Sequence, residues 1–401
     1  MQDPKLILCI DNCFACKRWV KPMDWMRLIR SMGVTWVEQS ADTECDPLYM
    51  DARYTKDWIE LVRQGGEKTG VRVKNVYSGH GTYATCGLAH WDARVRARFR
   101  DQWMKPQADT ARALNAGFGF FAHAFEHGVL QSAGTYEKTL QTLYGDLAEL
   151  AGYAREIGLP AVGLEQMYTP HMPPWTIAGT RELLSQIYAR AGAPMYVTLD
   201  VGHMNGQQFF QRPGEEDIRE ALASARHGGQ PRRLWIGSEA ANCIFRDAAA
   251  GKEEISAATE RILENIDENP HLFAAPEDGE IWTWIEKLGK YSPIVHLQQS
   301  DGKSSPHWPF SEAYNRRGVV TGERLLFSLQ AAFSSPAEQG MPDAVGEIAL
   351  TLEPFVGTAA NPYDAMEDIA QSVAYWRKFI PRDGMRLSEA AALQKSRMEC
   401  K

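Results

Sequence analysis

Short apolar runs alternate with longer segments whose apolar residues recur at helical spacing along most of the chain. After the first run, for example, Trp25, Ile29 and Met32 fall on one helical face. The apolar runs predict strands at residues 5–10, 34–38, 71–77, 117–122, 161–165, 195–200, 293–298 and 347–353. The intervening segments predict helices at residues 23–32, 56–69, 91–114, 136–157, 177–190, 281–288, 322–333 and 363–379.

Strands that alternate with helices along a chain are parallel, and they form either an open doubly wound sheet or a closed barrel. Eight strand–helix units favour the closed form, so we predict an α/β protein with the (β/α)₈ TIM barrel fold. In this fold the active site forms at the carboxyl ends of the strands and in the loops that follow them.

The alternation stops after the sixth predicted strand. Residues 204–280 are polar and contain Gly and Pro, with helical patterns at 215–226 and 254–266 and no strand pattern. We interpret this stretch as an insertion in the loop after strand six, on the catalytic face of a single barrel domain that spans residues 1–380. Residues 381–401 are expected to form an appended amphipathic tail.

The composition narrows the kind of protein and its partners. Of the 401 residues, 44% are hydrophobic and 23% are charged, which is typical of a globular protein with a large core. A net charge of −8 does not favour a nucleic-acid surface. No apolar stretch approaches the ~18–20 residues of a membrane span, and the 7 cysteines do not form a disulfide framework. We expect a cytoplasmic protein that acts on a small molecule, and a homo-oligomer.

Polar side chains stand at the ends of predicted strands five to eight. Glu165, Asp200 and Glu353 end apolar runs, and His296 lies within the seventh run. An acid or imidazole in such a place is costly unless it is paired or bound to a metal, because burial removes its hydration. Carboxylate oxygens with one imidazole suit Mn²⁺ or Mg²⁺, and less specifically Co²⁺, Fe²⁺ or Zn²⁺. The series therefore favours a divalent metal site over separate structural ion pairs.

The series Glu165, Asp200-x-x-His203, His296 and Glu353 resembles the xylose-isomerase-like barrels, and within them the ketose 3-epimerase type of site. The resemblance covers most of the chain apart from the insertion. Four shorter motifs, CFACKRW, HLQQSDG, HWPF and SVAYWRKF, are similar to a subgroup of sugar-phosphate isomerases and epimerases. That subgroup is associated with tetrulose phosphates such as erythrulose phosphate.

The resemblance implies a function, a cofactor and residue roles. The four strand-end residues would ligate one divalent metal, Mn²⁺ in the first place, with Mg²⁺ or Co²⁺ as alternatives. Glu165 and Glu353 would be the catalytic pair, one removing the proton beside the ketone and the other returning a proton on the opposite face. The metal would hold the carbonyl and the adjacent hydroxyl and stabilise the enediolate. His203 would hydrogen-bond the substrate, a ketose or a ketose phosphate.

Two positions depart from the epimerase pattern. Where the family has a second Glu six residues after the Glu of strand five, this chain has His171. Where the family tends to have an Arg after the histidine of strand seven, this chain offers Asp301 and Lys303. We therefore expect these three residues to contribute to the binding of a substrate that differs from those of the known epimerases.

Loops after other predicted strands supply further candidates for substrate binding. Lys17 and Arg18 follow strand one, where they would bind a phosphate or a carboxylate or else face solvent. The ring of Trp308 would pack against the C–H face of a sugar in the pocket, or else form a structural contact in a lid. The candidates in the loops after strands three, four and seven are His80, His123, His307 and Trp308.

Other motifs give little support for a redox, second metal, nucleotide or serine-nucleophile site. Cys13 and Cys16 form a C-x-x-C motif after a strand, but neither a helix nor a small thioredoxin-like domain goes with it. His123 and His127 have the spacing of a helical metal pair, but Ala124 stands where zinc proteases have Glu. The sequence has no P-loop, no dinucleotide-binding glycine motif and no G-x-S-x-G motif.

Three other functions remain open on the sequence. Proton abstraction beside a ketone also initiates β-elimination, so the same barrel could deglycosylate an oxidised sugar in a lyase-type reaction. An apurinic-site endonuclease shares this barrel, but such enzymes need more histidine ligands for zinc and a basic groove. A non-catalytic binding protein would use the fold without the chemistry.

Overall fold

Eight parallel strands form the centre of the protein in the computed structural model, which describes residues 2–79, 81–229 and 234–399. The strands are β1 (Lys5–Asp11), β2 (Trp36–Ser40), β3 (Arg72–Tyr77), β4 (Gly117–Phe120), β5 (Val162–Glu165), β6 (Tyr196–Asp200), β7 (Ile294–Leu297) and β8 (Glu347–Leu352). Each strand pairs with the next along the chain, and β8 also pairs with β1, so the sheet closes. The predicted (β/α)₈ TIM barrel is confirmed.

Helices follow the strands along the chain. They are α1 (Pro22–Ser31), α2 (Ala52–Thr69), α3 (Ala93–Phe99), α4 (Lys105–Ala113), α5 (His127–Leu130), α6 (Ala133–Glu156), α7 (Ile177–Ala191), α8 (Glu215–Arg226), α9 (Glu239–Ala249), α10 (Ile255–Glu268), α11 (Ile281–Leu288), α12 (Glu312–Asn315), α13 (Gly322–Ser334), α14 (Pro362–Trp376) and α15 (Leu387–Glu399). A π turn at Arg100–Met104 divides the helix expected at 91–114 into α3 and α4. Among the described residues, no helix combines the length and the apolar character needed to cross a membrane.

The strands are apolar because most of their residues are buried on both faces of the sheet, as is usual when helices cover a parallel sheet. α1 illustrates the covering layer: it begins at Pro22, where a missing N–H is tolerated, and it buries Trp25, Met26 and Ile29. The main apolar core accordingly lies between the strands and the helices around them.

The stretch after β6 is helical and has a small apolar core of its own. α8, α9 and α10 contact one another, and their core includes Ile218, Leu222, Ile236 and Ile262. α8 and α10 agree with the two helical patterns expected there. No helix is predicted from the sequence at α9, whose fully buried residues are Ala241 and Ala248 and whose Ile244 and Phe245 pack partly buried against the same core.

The end of the chain, which is expected from the sequence to be an appended tail, packs onto the barrel. β9 (Met385–Arg386) pairs antiparallel with β1. α15 contacts α13 and buries Leu387, Ala390 and Ala391. The buried face again consists largely of alanines, so its amphipathic pattern does not show how closely the helix docks.

Candidate active site

Four predicted side chains meet at the carboxyl end of the barrel. Glu165 ends β5, Asp200 ends β6, and Glu353 directly follows β8. Together with His296 of β7, each offers one ligand atom, and these atoms lie within 4.8 Å of one another, with all four residues buried. Asp200 pairs with His296 across β6 and β7, and residues paired across neighbouring strands point to the same face of a sheet.

The imidazole of His296 has a carboxylate at each of its nitrogens. Nδ1 lies 3.0 Å from Oε1 of Glu165 and 3.6 Å from Oε2 of Glu353. Nε2, on the other side of the ring, lies 2.9 Å from Oε2 of Glu38 in β2. Glu38 in turn accepts a hydrogen bond from the side chain of Asn75 at 2.6 Å.

Asp200 is oriented by backbone and amide donors. Its Oδ1 accepts hydrogen bonds from the backbone N–H groups of Gly202, at 2.6 Å, and His203, at 3.2 Å. The side chain of Gln298 donates to both carboxylate oxygens, at 2.9 and 3.1 Å. These donors hold the carboxylate in one rotamer and favour its charged form.

Burial and neighbouring charges shift the pKa values of this group in opposite directions. Burial acts to raise the pKa of Glu165 and of Asp200, but the nearby histidines outweigh it and both pKa values lie below their usual range. Burial raises the pKa of Glu353 well above its usual value, an effect that His296 opposes and the other carboxylates strengthen. Burial acts to lower the pKa of His296, but Glu353 and Glu38 raise it well above its usual value.

The donor set suits a divalent cation. Three carboxylates and one imidazole converge, which is a mainly oxygen set of the kind that Mn²⁺ and Mg²⁺ prefer. In the part of the chain that the structure describes, the ion pairs of these carboxylates are with His203, His296 and His307. A bound cation would balance this concentrated negative charge. The contact of His296 with Glu38 is also typical of metal-binding histidines, whose second nitrogen meets a carboxylate.

A second group of possible ligands shares Asp200. Ligand atoms of Asp200, His203 and His307 also lie within 4.8 Å of one another. His203 donates from Nδ1 to the carbonyl of Gln166 at 2.9 Å, and its Nε2 lies 3.6 Å from Oδ2 of Asp200. Nδ1 of His307 lies 3.4 Å from Oε2 of Glu353. Both histidines therefore border the carboxylate cluster.

A cavity of about 360 Å³ opens onto this cluster. Its size falls within the range of ~300–1,000 Å³ that is usual for small-molecule sites. The charged and imidazole residues that line it are Glu165, His203, His307 and Glu353. The aromatic residues that line it are Tyr83, Phe121, Tyr168 and Phe355.

The predicted substrate-binding histidines have different positions. His203 and His307 line the cavity. His80 lies outside the described residues. His123 is fully buried against aromatic rings, and its Nε2 lies 3.0 Å from the hydroxyl of Thr82, so it does not border the cavity. His171 is also absent from the cavity wall, and its Nδ1 lies 3.1 Å from the carbonyl oxygen of Phe125.

The predicted cationic residues Lys17, Arg18 and Lys303 do not line the cavity either. Arg18 donates to the carbonyls of Gly357, at 2.7 Å, and Ala360, at 3.3 Å, and so fastens the loop between β8 and α14. Lys17 beside it is exposed.

Asp301 and Trp308 also lie outside the cavity wall and make contacts within their own loops. Asp301 accepts a hydrogen bond from the backbone N–H of Lys303 at 3.0 Å. Trp308 stacks on Tyr314, and the guanidinium of Arg317 lies 4.2 Å from the centre of its ring.

Sequence reasoning misses three residues that contact the cluster. Glu38 meets His296, Gln298 meets Asp200, and the hydroxyl of Tyr77 donates to Oε2 of Glu165. All three stand at the ends of predicted strands. The criterion that identifies the metal-ligating candidates would have found Glu38 if it had been applied to the second strand as well.

Comparisons with known proteins give a family and a curated relative for part of the chain. The family model described as a xylose isomerase-like TIM barrel matches residues 26–231, about half of the chain. A D-erythrulose 1-phosphate 3-epimerase from Brucella abortus (strain 2308) is 34% identical over 119 residues, which are 30% of this chain and 35% of that protein. The match thus spans about a third of the length of this curated relative.

Solved structures are similar over nearly the whole chain. A protein from Rhodospirillum rubrum ATCC 11170, described as a candidate xylose isomerase, has a TM-score of 0.66 and 18% identity, and covers 93% of this chain and 99% of its own. A D-allulose 3-epimerase from Methylomonas sp. has a TM-score of 0.51 and 13% identity, and covers 100% of this chain and 99% of its own. At such identities the similarity establishes the fold.

Proposed function

Because this chain belongs to the xylose isomerase-like TIM barrel family, we propose that it is a divalent-metal-dependent epimerase or isomerase of a ketose or a ketose phosphate. The observation that carries the proposal is that Glu165 and Glu353 line one cavity and offer ligand atoms to one buried cluster. The Brucella abortus relative, an epimerase of D-erythrulose 1-phosphate, supports the substrate class. The proposed metal is Mn²⁺, with Mg²⁺ or Co²⁺ as alternatives.

Two carboxylates on one cavity can move a proton from one face of a substrate carbon to the other. One of Glu165 and Glu353 removes the proton from the carbon beside the ketone, and the other returns a proton to the opposite face. The first carboxylate ends protonated and the second ends ionised, so exchange with solvent restores the starting state. A divalent cation in the cluster supplies positive charge that stabilises negative charge on the substrate oxygens.

Neighbouring side chains support these roles. The hydroxyl of Tyr77 donates to Oε2 of Glu165 while His296 faces Oε1, so this carboxylate is held in one orientation. His203 and His307 border the cavity, where they can hydrogen-bond substrate hydroxyls. The aromatic part of the wall offers apolar surface to the C–H face of a sugar.

Variants Glu165→Gln and Glu353→Gln test the proposal. Glutamine keeps the shape of the side chain but cannot act as a base, so turnover of a ketose or ketose phosphate with Mn²⁺ should fall ~10²-fold or more. Proton NMR in D₂O follows the reaction, because proton removal and return leave a solvent deuterium at the inverted carbon. Glu156→Gln is the control, since Glu156 is exposed at the end of α6, just before β5 begins.

Full turnover in folded, metal-loaded Glu165→Gln or Glu353→Gln would contradict the proposal. Release of an aglycone from a keto glycoside, without formation of an epimer, would instead favour β-elimination at the same site. Loss of turnover in Glu156→Gln as well would mean that the substitutions act through the fold rather than through the chemistry.

A further inference from the structure

Glu38 is a fully buried carboxylate that the proposed proton transfer does not use. It does not line the cavity, yet both of its oxygens are engaged. Oε2 lies 2.9 Å from Nε2 of His296, and Oε1 accepts a hydrogen bond of 2.6 Å from Nδ2 of Asn75. Glu165 and Glu353 meet the other nitrogen of the His296 ring, so this imidazole lies between Glu38 and the other carboxylates.

A β-bulge brings Asn75 opposite Glu38. Val37 pairs with Val73, whereas Glu38 pairs with Asn75, so β3 has one extra residue, Lys74, at this point. Paired residues on neighbouring strands place their side chains on the same face, and bulges beside active sites often redirect a side chain. In an unbroken register Lys74 would pair with Glu38 instead, and the side chain of Asn75, on the opposite face of the strand from that of Lys74, would face away from Glu38.

The next strand leaves room for Asn75. A Cβ atom at Gly117 would lie 2.8 Å from Oδ1 of Asn75, and one at Gly119 would lie 2.7 Å from its Nδ2. Both distances are shorter than side-chain packing allows, so any other residue in either place would displace the amide that holds Glu38. Three consecutive strands, β2 to β4, therefore contribute to the position of one carboxylate.

We propose that Glu38 is the residue that positions His296 for metal binding, an inference that rests on the metal site of the proposed function. By accepting a hydrogen bond from the Nε2–H group, Glu38 fixes the orientation of the ring and leaves the lone pair on Nδ1, the nitrogen that faces Glu165 and Glu353. Loss of such a partner typically weakens metal binding ~10–100-fold. Glu38 acts through His296 and is a positioning residue rather than a catalytic one.

Calorimetric titration of the metal-free protein with Mn²⁺ tests this role without any substrate. Glu38→Gln offers Nε2 only a neutral acceptor and Glu38→Leu offers none, so the Kd for Mn²⁺ should rise about 10-fold in the first and further in the second. Glu156→Gln, at an exposed glutamate that ends α6 just before β5 begins, should keep the wild-type Kd. Circular dichroism checks that each variant folds.

Asn75→Ala is a second route to the same answer if the Glu38 variants do not fold. It removes the amide that holds Oε1 of Glu38 but leaves the carboxylate, so a several-fold rise in the Kd is expected, smaller than in Glu38→Leu. If Glu38→Gln keeps the wild-type Kd, the role of Glu38 is overturned and the proposed function stays intact. If the Glu38 variants do not fold, a wild-type Kd in Asn75→Ala has the same meaning. A wild-type protein that binds no Mn²⁺ would overturn the metal site and this role together.

The histidine tautomer gives a readout that a purely structural role would not change. In ¹⁵N-histidine NMR spectra of the protein loaded with diamagnetic Zn²⁺, His296 should carry its proton on Nε2 and bind the metal through Nδ1. The protonated Nε2 signal should broaden or be lost in Glu38→Leu, where the acceptor is absent. A metal bound through Nε2 in the wild-type protein would overturn the proposal.

Discussion

His296 and His123 are both fully buried, yet their surroundings differ in kind. His296 lies among carboxylates that raise its pKa despite its burial. His123 lies against the rings of Phe99, Trp103 and Phe121, and burial lowers its pKa to about 3. The surroundings of His296 therefore stabilise a positive charge, either on the imidazole or on a cation beside it. His123 remains neutral throughout the physiological pH range.

Replacing His123 should make the protein less sensitive to acid. Its pKa is about 3 in the folded protein and ~6.5 in an unfolded chain. Between these values the unfolded chain binds the proton, so stability falls as the pH falls below 6.5, by about 2 kcal/mol from pH 7 to pH 5 for this group alone. Urea unfolding of the wild type and of His123→Asn at both pH values measures the difference. Asn tolerates the backbone φ of 68° found here.

An exposed histidine provides the control for this prediction. His227 follows α8 at the surface, so His227→Asn removes an imidazole without changing the buried aromatic surroundings of His123. If His123→Asn lost as much as the wild type, the acid sensitivity would have to come from other groups.

Residues at strand ends are easier to predict than residues in loops. Glu165 and Asp200 end apolar runs, and a run of that kind determines both where a strand stops and which barrel end its last residue occupies. The side chain of Arg18 instead depends on the carbonyls of Gly357 and Ala360, more than 300 residues away in the sequence. No local pattern encodes that contact, so the expectation that Arg18 binds substrate does not follow from its loop position alone.

Elements that bury large apolar residues are predictable, and elements that bury alanines are not. The strands are continuous apolar runs because helices cover them. α15 buries two alanines beside Leu387, and alanines contribute little to an amphipathic pattern. The pairing of β9 with β1 involves only two residue pairs, which is too few for a period-2 pattern to reveal.

The docking of α15 predicts that Leu387→Ala destabilises the protein. Leu387 is 2% exposed and belongs to the main core. Truncation of a buried leucine costs about 2–5 kcal/mol, because the transfer free energy is lost and a cavity remains. The free energy of unfolding from guanidinium denaturation, with tryptophan fluorescence as the signal, measures the effect.

Met398→Ala serves as the comparison on the same helix. Its side chain is 59% exposed, so the substitution should change the free energy of unfolding by less than about 0.5 kcal/mol. Similar small effects for both variants would show that α15 does not contribute to the core.

At the scale of the whole molecule, closure of the barrel brings together side chains that are far apart in sequence. Glu38 of β2 and His296 of β7 are 258 residues apart and meet in the barrel interior. Eight repeats predict that the sheet closes. Which interior side chains then meet depends on the register of every strand, including the bulge between β2 and β3, and the sequence pattern does not specify that register.

Closure also concentrates negative charge at one end of a protein whose net charge is −8. A cation that binds only the folded protein stabilises it, by about 2.7 kcal/mol at a concentration 100 times its Kd. For a chain of 401 residues this corresponds to a rise of roughly 3 °C in Tm. Thermal unfolding followed by circular dichroism, with the metal-free protein and added Mn²⁺, measures the rise.

Asp200→Asn shows whether that rise comes from the cluster. Asparagine keeps the oxygen that accepts from the N–H groups of Gly202 and His203, but it removes the charge of one proposed ligand. Its Kd for Mn²⁺ should therefore increase, and the Tm at the same Mn²⁺ concentration should rise by less than 1 °C if binding weakens about 100-fold. An equal rise in the wild type and in Asp200→Asn would place the bound Mn²⁺ elsewhere on the acidic surface, because only binding at the cluster depends on this carboxylate.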